Sequence, residues 1–337
     1  MDCEGEHRAR LSRLRSLLDR RGDSAALLTT RRNFAWLTAG GIGHVVQSSE
    51  ASIAGILVTR GEAVMITQNI EAARLADEEL AGLGLEIVPV PWWEPAAIQA
   101  EAVSRLPAGV QPVDDADLEP DLSLIRSVLS ALDRDRLAEL GRVARDAVEA
   151  TLTTVQPGIT EDAVVAQLLG RLPGVRAPVV LAAADARIAR YRHPLPGGTP
   201  IRSRVMLVLV AERWGLHVAL TRFRELEAPD ADLARRIAAV GAVQAAMHAA
   251  SRPGATFGNV FAVARSAYED AGFPDEWRDH HQGGSIGYQA RERVAVPDDP
   301  TVIEPGMALA WNPSIAGTKA EDTLVVVDGV ARTVTAG

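Results

Sequence analysis

Residues 136–160, RLAELGRVARDAVEATLTTVQPGIT, and residues 232–256, DLARRIAAVGAVQAAMHAASRPGAT, are two copies of one pattern. Leu137-Ala138 matches Leu233-Ala234, and Pro157-Gly158 matches Pro253-Gly254, each pair 96 residues apart. Each copy reads as a long amphipathic helix stopped by a Pro-Gly turn. A threonine (Thr160, Thr256) then stands where a hydroxyl can cap the free N–H groups of a second helix. Strand-like runs follow both copies: RAPVVLAAA and VMLVLVAERWGLHVALTRF after the first, MALAWNP and DTLVVVDGVARTV after the second. Two helix-plus-strand units predict a sheet with pseudo-twofold symmetry, covered by four helices.

Upstream of the repeat the pattern changes. Leu11, Leu14, Leu17 and Leu18 sit at helical spacing, and SAALLTT, ASIAGILVT and EAVMIT read as short buried strands, the last two joined at Arg60-Gly61. A helix over about 70–81 and the strand LEIVPV follow. The stretch 107–117, rich in Pro, Gly and Asp, predicts a loop, and the chain from there to about Ser130 a linker. The expected organisation is α/β (α+β), with a small α/β domain and its linker over 1–130 and a second domain over 131–337.

Composition narrows the function. With 337 residues, 47% hydrophobic and 23% charged, the chain can bury two cores. Its net charge of −9 argues against nucleic-acid partners, which need a basic face. Cys3 is the only cysteine, so neither an intrachain disulfide nor a cysteine zinc site is possible. The charged start, MDCEGEHRARLSRLRSLLDRRGD, has no apolar signal core, and no apolar run is long enough to cross a bilayer. A cytoplasmic protein without membrane contact is the expectation.

Further motifs converge on one resemblance. Residues 280–292 read HHQGGSIGYQARE, a tight glycine loop running into a strand. Thr221-Arg222 ends a strand, Pro305-Gly306-Met307 precedes one, and Glu321-Asp322-Thr323 opens another. With the repeat, these resemble the creatinase, prolidase and methionine aminopeptidase superfamily and its pita-bread fold. RNFAWLT, residues 32–38, looks like the characteristic strand and turn of that family's smaller domain. The resemblance covers nearly the whole chain and implies a homodimer.

Peptidases of that family hold two metal ions through two aspartates, one histidine and two glutamates, an oxygen-rich set suited to hard divalent cations. The resemblance places those ligands at Val208, Ala219, Gly284, Asn312 and Glu321. Only Glu321 keeps an anionic side chain, and two positions are aliphatic. A further peptidase histidine falls at Arg291. The frame therefore implies a retained cleft without the dinuclear metal and with no cofactor.

Creatinase is a metal-free member that uses a histidine as acid/base and glutamates that grip its substrate. The matching residues are His193 and Glu321, with Thr221 where a second gripping glutamate belongs. A histidine suits the task because its ordinary pKa of about 6.5 lets it take and return protons near neutrality. Side chains alternate along a strand, so His217 and Thr221 share a face with Ala219, and Trp311 points away from Asn312. The expected catalytic residues are His193, Glu321 and His217. The expected substrate-binding residues are Asn312, Arg291, Thr221, Tyr288, Arg32 and Phe34, with no metal ligand. The function implied is metal-independent chemistry at a C–N bond of a small amino-acid-like or cyclic substrate, with hydrolysis, lyase and isomerase routes open. The alternatives are a non-catalytic pseudopeptidase that binds a peptide or small ligand, and a residual Xaa-Pro dipeptidase.

Overall fold

A computed structural model describes residues 2–336. The chain divides into two compact units, one ending at Arg126 and the other beginning at Ser127.

The first unit opens with the helix Cys3–Arg21, capped by the Asp2 carboxylate and ended by left-handed Gly22. Leu14, Leu17 and Leu18 lie on its buried face. A five-stranded sheet follows, in the order β4-β3-β2-β1-β5. Its strands are β1 (Ala25–Thr30), β2 (Ala51–Thr59), β3 (Ala63–Gln68), β4 (Glu86–Val90) and β5 (Val113–Asp114).

Three expectations for this unit need correction. Residues 31–37 form a helix rather than a strand and turn. The Asp115 carboxylate accepts the N–H and hydroxyl of Thr30 and the Asn33 amide, which closes β1 and turns the chain into that helix. The helix expected over 70–81 is a single turn, Ala72–Arg74, running into a π-helical turn, Leu75–Glu79. The expected linker contains the helix Asp115–Ser127, because Leu118 and Leu122 form a fully buried i,i+4 pair.

In the second unit the two copies form matching structures. The helices Ala131–Thr153 and Glu161–Leu169 lead into the antiparallel sheet β6 (Arg176–Ala184), β7 (Arg204–Arg213) and β8 (Leu216–Glu225). The helices Ala231–Ala250 and Phe257–Asp270 lead into β9 (Gly283–Ile286), β10 (Arg293–Val294), β11 (Ala308–Trp311), β12 (Ser314–Ile315), β13 (Thr318–Lys319), β14 (Asp322–Val327) and β15 (Val330–Thr333). Of these, β10-β9-β11-β14-β15 form one sheet.

The pseudo-symmetry extends to single hydrogen bonds. Thr160 and Thr256 each cap the second helix of their copy. Gly158 N–H donates to Ile201 O at 2.7 Å, and Gly254 N–H donates to Ile303 O at 3.0 Å. Both glycines have positive φ, 95° and 85°, a left-handed backbone that glycine adopts without strain. Trp311, pointing away from Asn312 as strand alternation requires, is fully buried, stacks edge-on against Phe257 and donates its indole N–H to Ser251 Oγ. The two sheets join where Thr221 N–H donates to the Glu321 carbonyl at 3.1 Å. This is the expected pita-bread arrangement, and that junction positions the site.

Candidate active site

One face of the β6-β7-β8 sheet supplies an apolar wall. Val179 pairs with Val210 and Leu181 with Val208, so all four side chains point to one side. They line a cavity of about 150 Å³. The opposite side is polar and comes from loops and strand ends: His193, His281, Arg291, Asn312, Lys319 and Glu321.

Glu321 is the centre of this polar side. It is 2% exposed, yet three groups reach its carboxylate. Lys319 Nζ lies 2.8 Å from Oε2, Arg291 Nη2 lies 2.8 Å from Oε1, and the Thr221 hydroxyl donates to Oε2 at 2.8 Å. Burial alone would raise its pKa. The Lys319 ammonium and the Arg291 guanidinium outweigh that and hold it at about 2.

Three histidines pack beside this pair. His193 Nε2 and His280 Nε2 are 3.1 Å apart, and His280 Nδ1 meets Ser314 Oγ at 3.1 Å. One nitrogen from each of His193, His280 and His281 lies within 4.8 Å of the others, so this cluster is where imidazoles could hold a metal ion. Burial, then Lys319, lowers the pKa of His193, and Arg291 adds to the effect against the opposing pull of Glu321. Burial pushes His280 to about 2, and burial with Arg291 pushes His281 to about 4. All three imidazoles are therefore neutral near pH 7.

Two buried polar atoms in this region have no hydrogen-bond partner: Asn312 Oδ1 and Arg291 Nε. The glycine loop explains the absence of a histidine at 284. A Cβ on Gly284 would sit 2.0 Å from the Arg293 carbonyl oxygen, and one on Gly283 would sit 2.1 Å from that of Ala310. The backbone of β9 is squeezed between β10 and β11, so neither position has room for a side chain.

The structure brings together His193, Glu321, Asn312, Arg291 and Thr221 from the expected set. His217, Tyr288, Phe34 and Arg32 have other partners. His217 shares the sheet face but lies further along it, where its ring meets the Gly287 carbonyl at 3.0 Å and lies 3.7 Å from Glu212. The Tyr288 hydroxyl is buried and donates to Asp133 at 2.7 Å, which makes it a packing group. Phe34 is wholly buried in the first unit against Gly43, and Arg32 is tied there to Glu119 at 3.3 Å.

Lys319, His280 and His281 are site residues outside the expected set. For Lys319 a signal was present: it is the one lysine in the chain, against 34 arginines (35 Lys plus Arg, less one).

Comparison with known proteins agrees with the fold. The family model for metallopeptidase family M24 matches residues 135–328. The probable dipeptidase PepE of Mycobacterium tuberculosis is 32% identical over 120 residues, 34% of this chain. The match spans only 32% of that protein's length. Among solved structures, dipeptidase PepE from Mycobacterium ulcerans has a TM-score of 0.80 at 20% identity, covering 99% of this chain and 96% of that one. The Xaa-Pro dipeptidase from Bacillus anthracis has a TM-score of 0.77 at 18% identity, covering 98% of each chain. At such identities the likeness is one of fold.

Proposed function

Because the chain belongs to metallopeptidase family M24, we propose that it is a metal-independent member acting at a C–N bond of a small amino-acid-like substrate. The observation that carries this reading is the state of Glu321, whose two carboxylate oxygens are occupied by Lys319, Arg291 and Thr221. The other positions that the family resemblance assigns to ligands hold Val208, Ala219, Gly284 and Asn312. Val208 and Ala219 are buried and aliphatic, and Gly284 has no space for an imidazole. One engaged carboxylate and one amide do not fit a pair of hard divalent cations. Lys319 and Arg291 supply fixed positive charge beside Glu321 instead.

His193 is the acid/base of this reading. Its neutral imidazole takes a proton from the attacking water as the oxygen bonds to carbon. It returns that proton to the nitrogen as the C–N bond breaks. Glu321 offsets one of the two positive charges and does not grip the substrate with a free oxygen. A homodimer and a cytoplasmic location belong to the same reading.

The full engagement of Glu321 also favours a second reading, in which the cleft binds a small ligand without turning it over. His193→Ala separates the two. Loss of turnover with retained binding supports the enzyme; saturable binding with no product from the unmodified protein supports the binding module. Activity abolished by chelator and restored by manganese would instead return the chain to the dipeptidases of its family.

A further inference from the structure

What the cavity holds follows from its charge. Lys319 and Arg291 are cations, and Glu321 is the one anionic side chain among the residues that line it. One positive charge is therefore left over. It faces a wall of Val179, Leu181, Val208 and Val210, which offers nothing to offset it. An uncompensated charge against such a wall is costly, and a bound monoanion removes the cost.

The two partnerless atoms refine the ligand. Arg291 Nε is a donor that lacks an acceptor, and Asn312 Oδ1 is an acceptor that lacks a donor. Asn312 is 2% exposed and lines the cavity, so the missing donor has to come from whatever occupies that space. Size sets a further limit. About 150 Å³ is well below the roughly 300–1,000 Å³ of sites that take drug-sized ligands.

We propose that the ligand of this cleft is a small monocarboxylate with a compact apolar body and one N–H group. Its carboxylate sits between Lys319 and Arg291, its apolar body rests on the valine and leucine wall, and its N–H donates to Asn312 Oδ1. Lys319 is the specificity-determining residue, because its compact ammonium supplies a point charge where a second guanidinium would fill the space. This inference rests on the reading of the cleft as the site of function and names what enters it.

The test is calorimetric titration of the full chain with N-acetyl-L-alanine and with its primary amide, which keeps the shape and the N–H but removes the charge. The acid should bind about tenfold or more tighter than the amide, as a charge-assisted pair of hydrogen bonds provides. Lys319→Met should erase that preference, weakening the acid by about tenfold more than the amide. Should Lys319→Met not fold, Glu321→Gln serves, since it removes the competing anion and keeps both cations. Acid affinity should then rise by about threefold or more. Equal affinity for acid and amide, an acid preference that survives Lys319→Met, or an acid affinity that falls in Glu321→Gln would overturn the proposal. Turnover of an uncharged amide that depends on His193, with no preference for the acid, would sink this ligand class and leave the enzyme reading standing. Tight acid binding with no turnover would do the reverse.

Discussion

Lys319 and Glu321 meet across one intervening residue, Nζ 2.8 Å from Oε2, with both side chains almost wholly buried. Alternate residues of an extended segment point to the same side, so the run Thr-Lys-Ala-Glu builds the pair locally. Arg291 reaches the other carboxylate oxygen from the glycine loop, 30 residues away in sequence. A carboxylate held by two cations is the feature on which the account turns.

Breaking that pair has a cost that can be measured. Lys319→Met leaves Glu321 buried with Arg291 as its one charged partner. Removing one member of a buried pair costs about 3 kcal/mol, the lower end of the usual range, because Arg291 remains. The double variant Lys319→Met/Glu321→Gln should recover most of the loss. Urea unfolding of both proteins checks this, and equal losses in the single and double variants would contradict it.

The glycine loop predicts that the family's histidine cannot be restored. Gly284→Ala places a Cβ 2.0 Å from the Arg293 carbonyl oxygen, so β10 must move. Overpacking of this kind costs about 3 kcal/mol, the upper end of its common range. Gly284→His should be worse and should gain no metal affinity. A Gly284→Ala protein as stable as the parent in thermal unfolding would show that the strand has slack.

His280 makes stability depend on pH. Its pKa is about 2 when folded, against an ordinary value of 6.5, because burial and then Lys319 disfavour its charged form. Below 6.5 the unfolded chain takes up a proton that the folded one refuses. Stability from this group is therefore fully present above pH 6.5 and is lost as pH falls toward the folded value. The slope approaches about 1.4 kcal/mol per pH unit for one such histidine. Comparing denaturant midpoints of the parent and His280→Asn between pH 5 and 7 isolates the contribution. Parallel curves would remove it.

His193 should titrate below 6.5, so the acid limb of any kcat/KM profile should also fall below that value. Lys319 is among the groups that depress it, so Lys319→Met should move the His193 midpoint upward. NMR titration of the imidazole reads this shift without requiring turnover. A midpoint unchanged in the variant would mean that the ammonium does not act on His193.

Much of this was legible in the sequence where it is written locally. The amphipathic helices, the Pro-Gly turns and the threonine caps of the repeat lie within a few residues of what they control, and the structure reproduces both copies. What failed depends on distant partners. The helix Arg31–Leu37 is set by Asp115, 82 residues from Asn33. The Tyr288 hydroxyl is used by Asp133, 155 residues away. Alternation put His217 on the correct face but said nothing of how far along that face the cavity extends. Lys319 was missed for a different reason: the family frame assigns no ligand there, so its alternation with Glu321 drew no notice.

The most direct measurement is a native mass spectrum of the purified full chain. The account predicts a chain at apoprotein mass, or one carrying a small organic acid, with no stoichiometric metal. Any stoichiometric metal would contradict it: one ion per chain would point to the imidazoles of His193, His280 and His281, and two would mean that side chains other than those at Val208, Ala219, Gly284 and Asn312 build the centre.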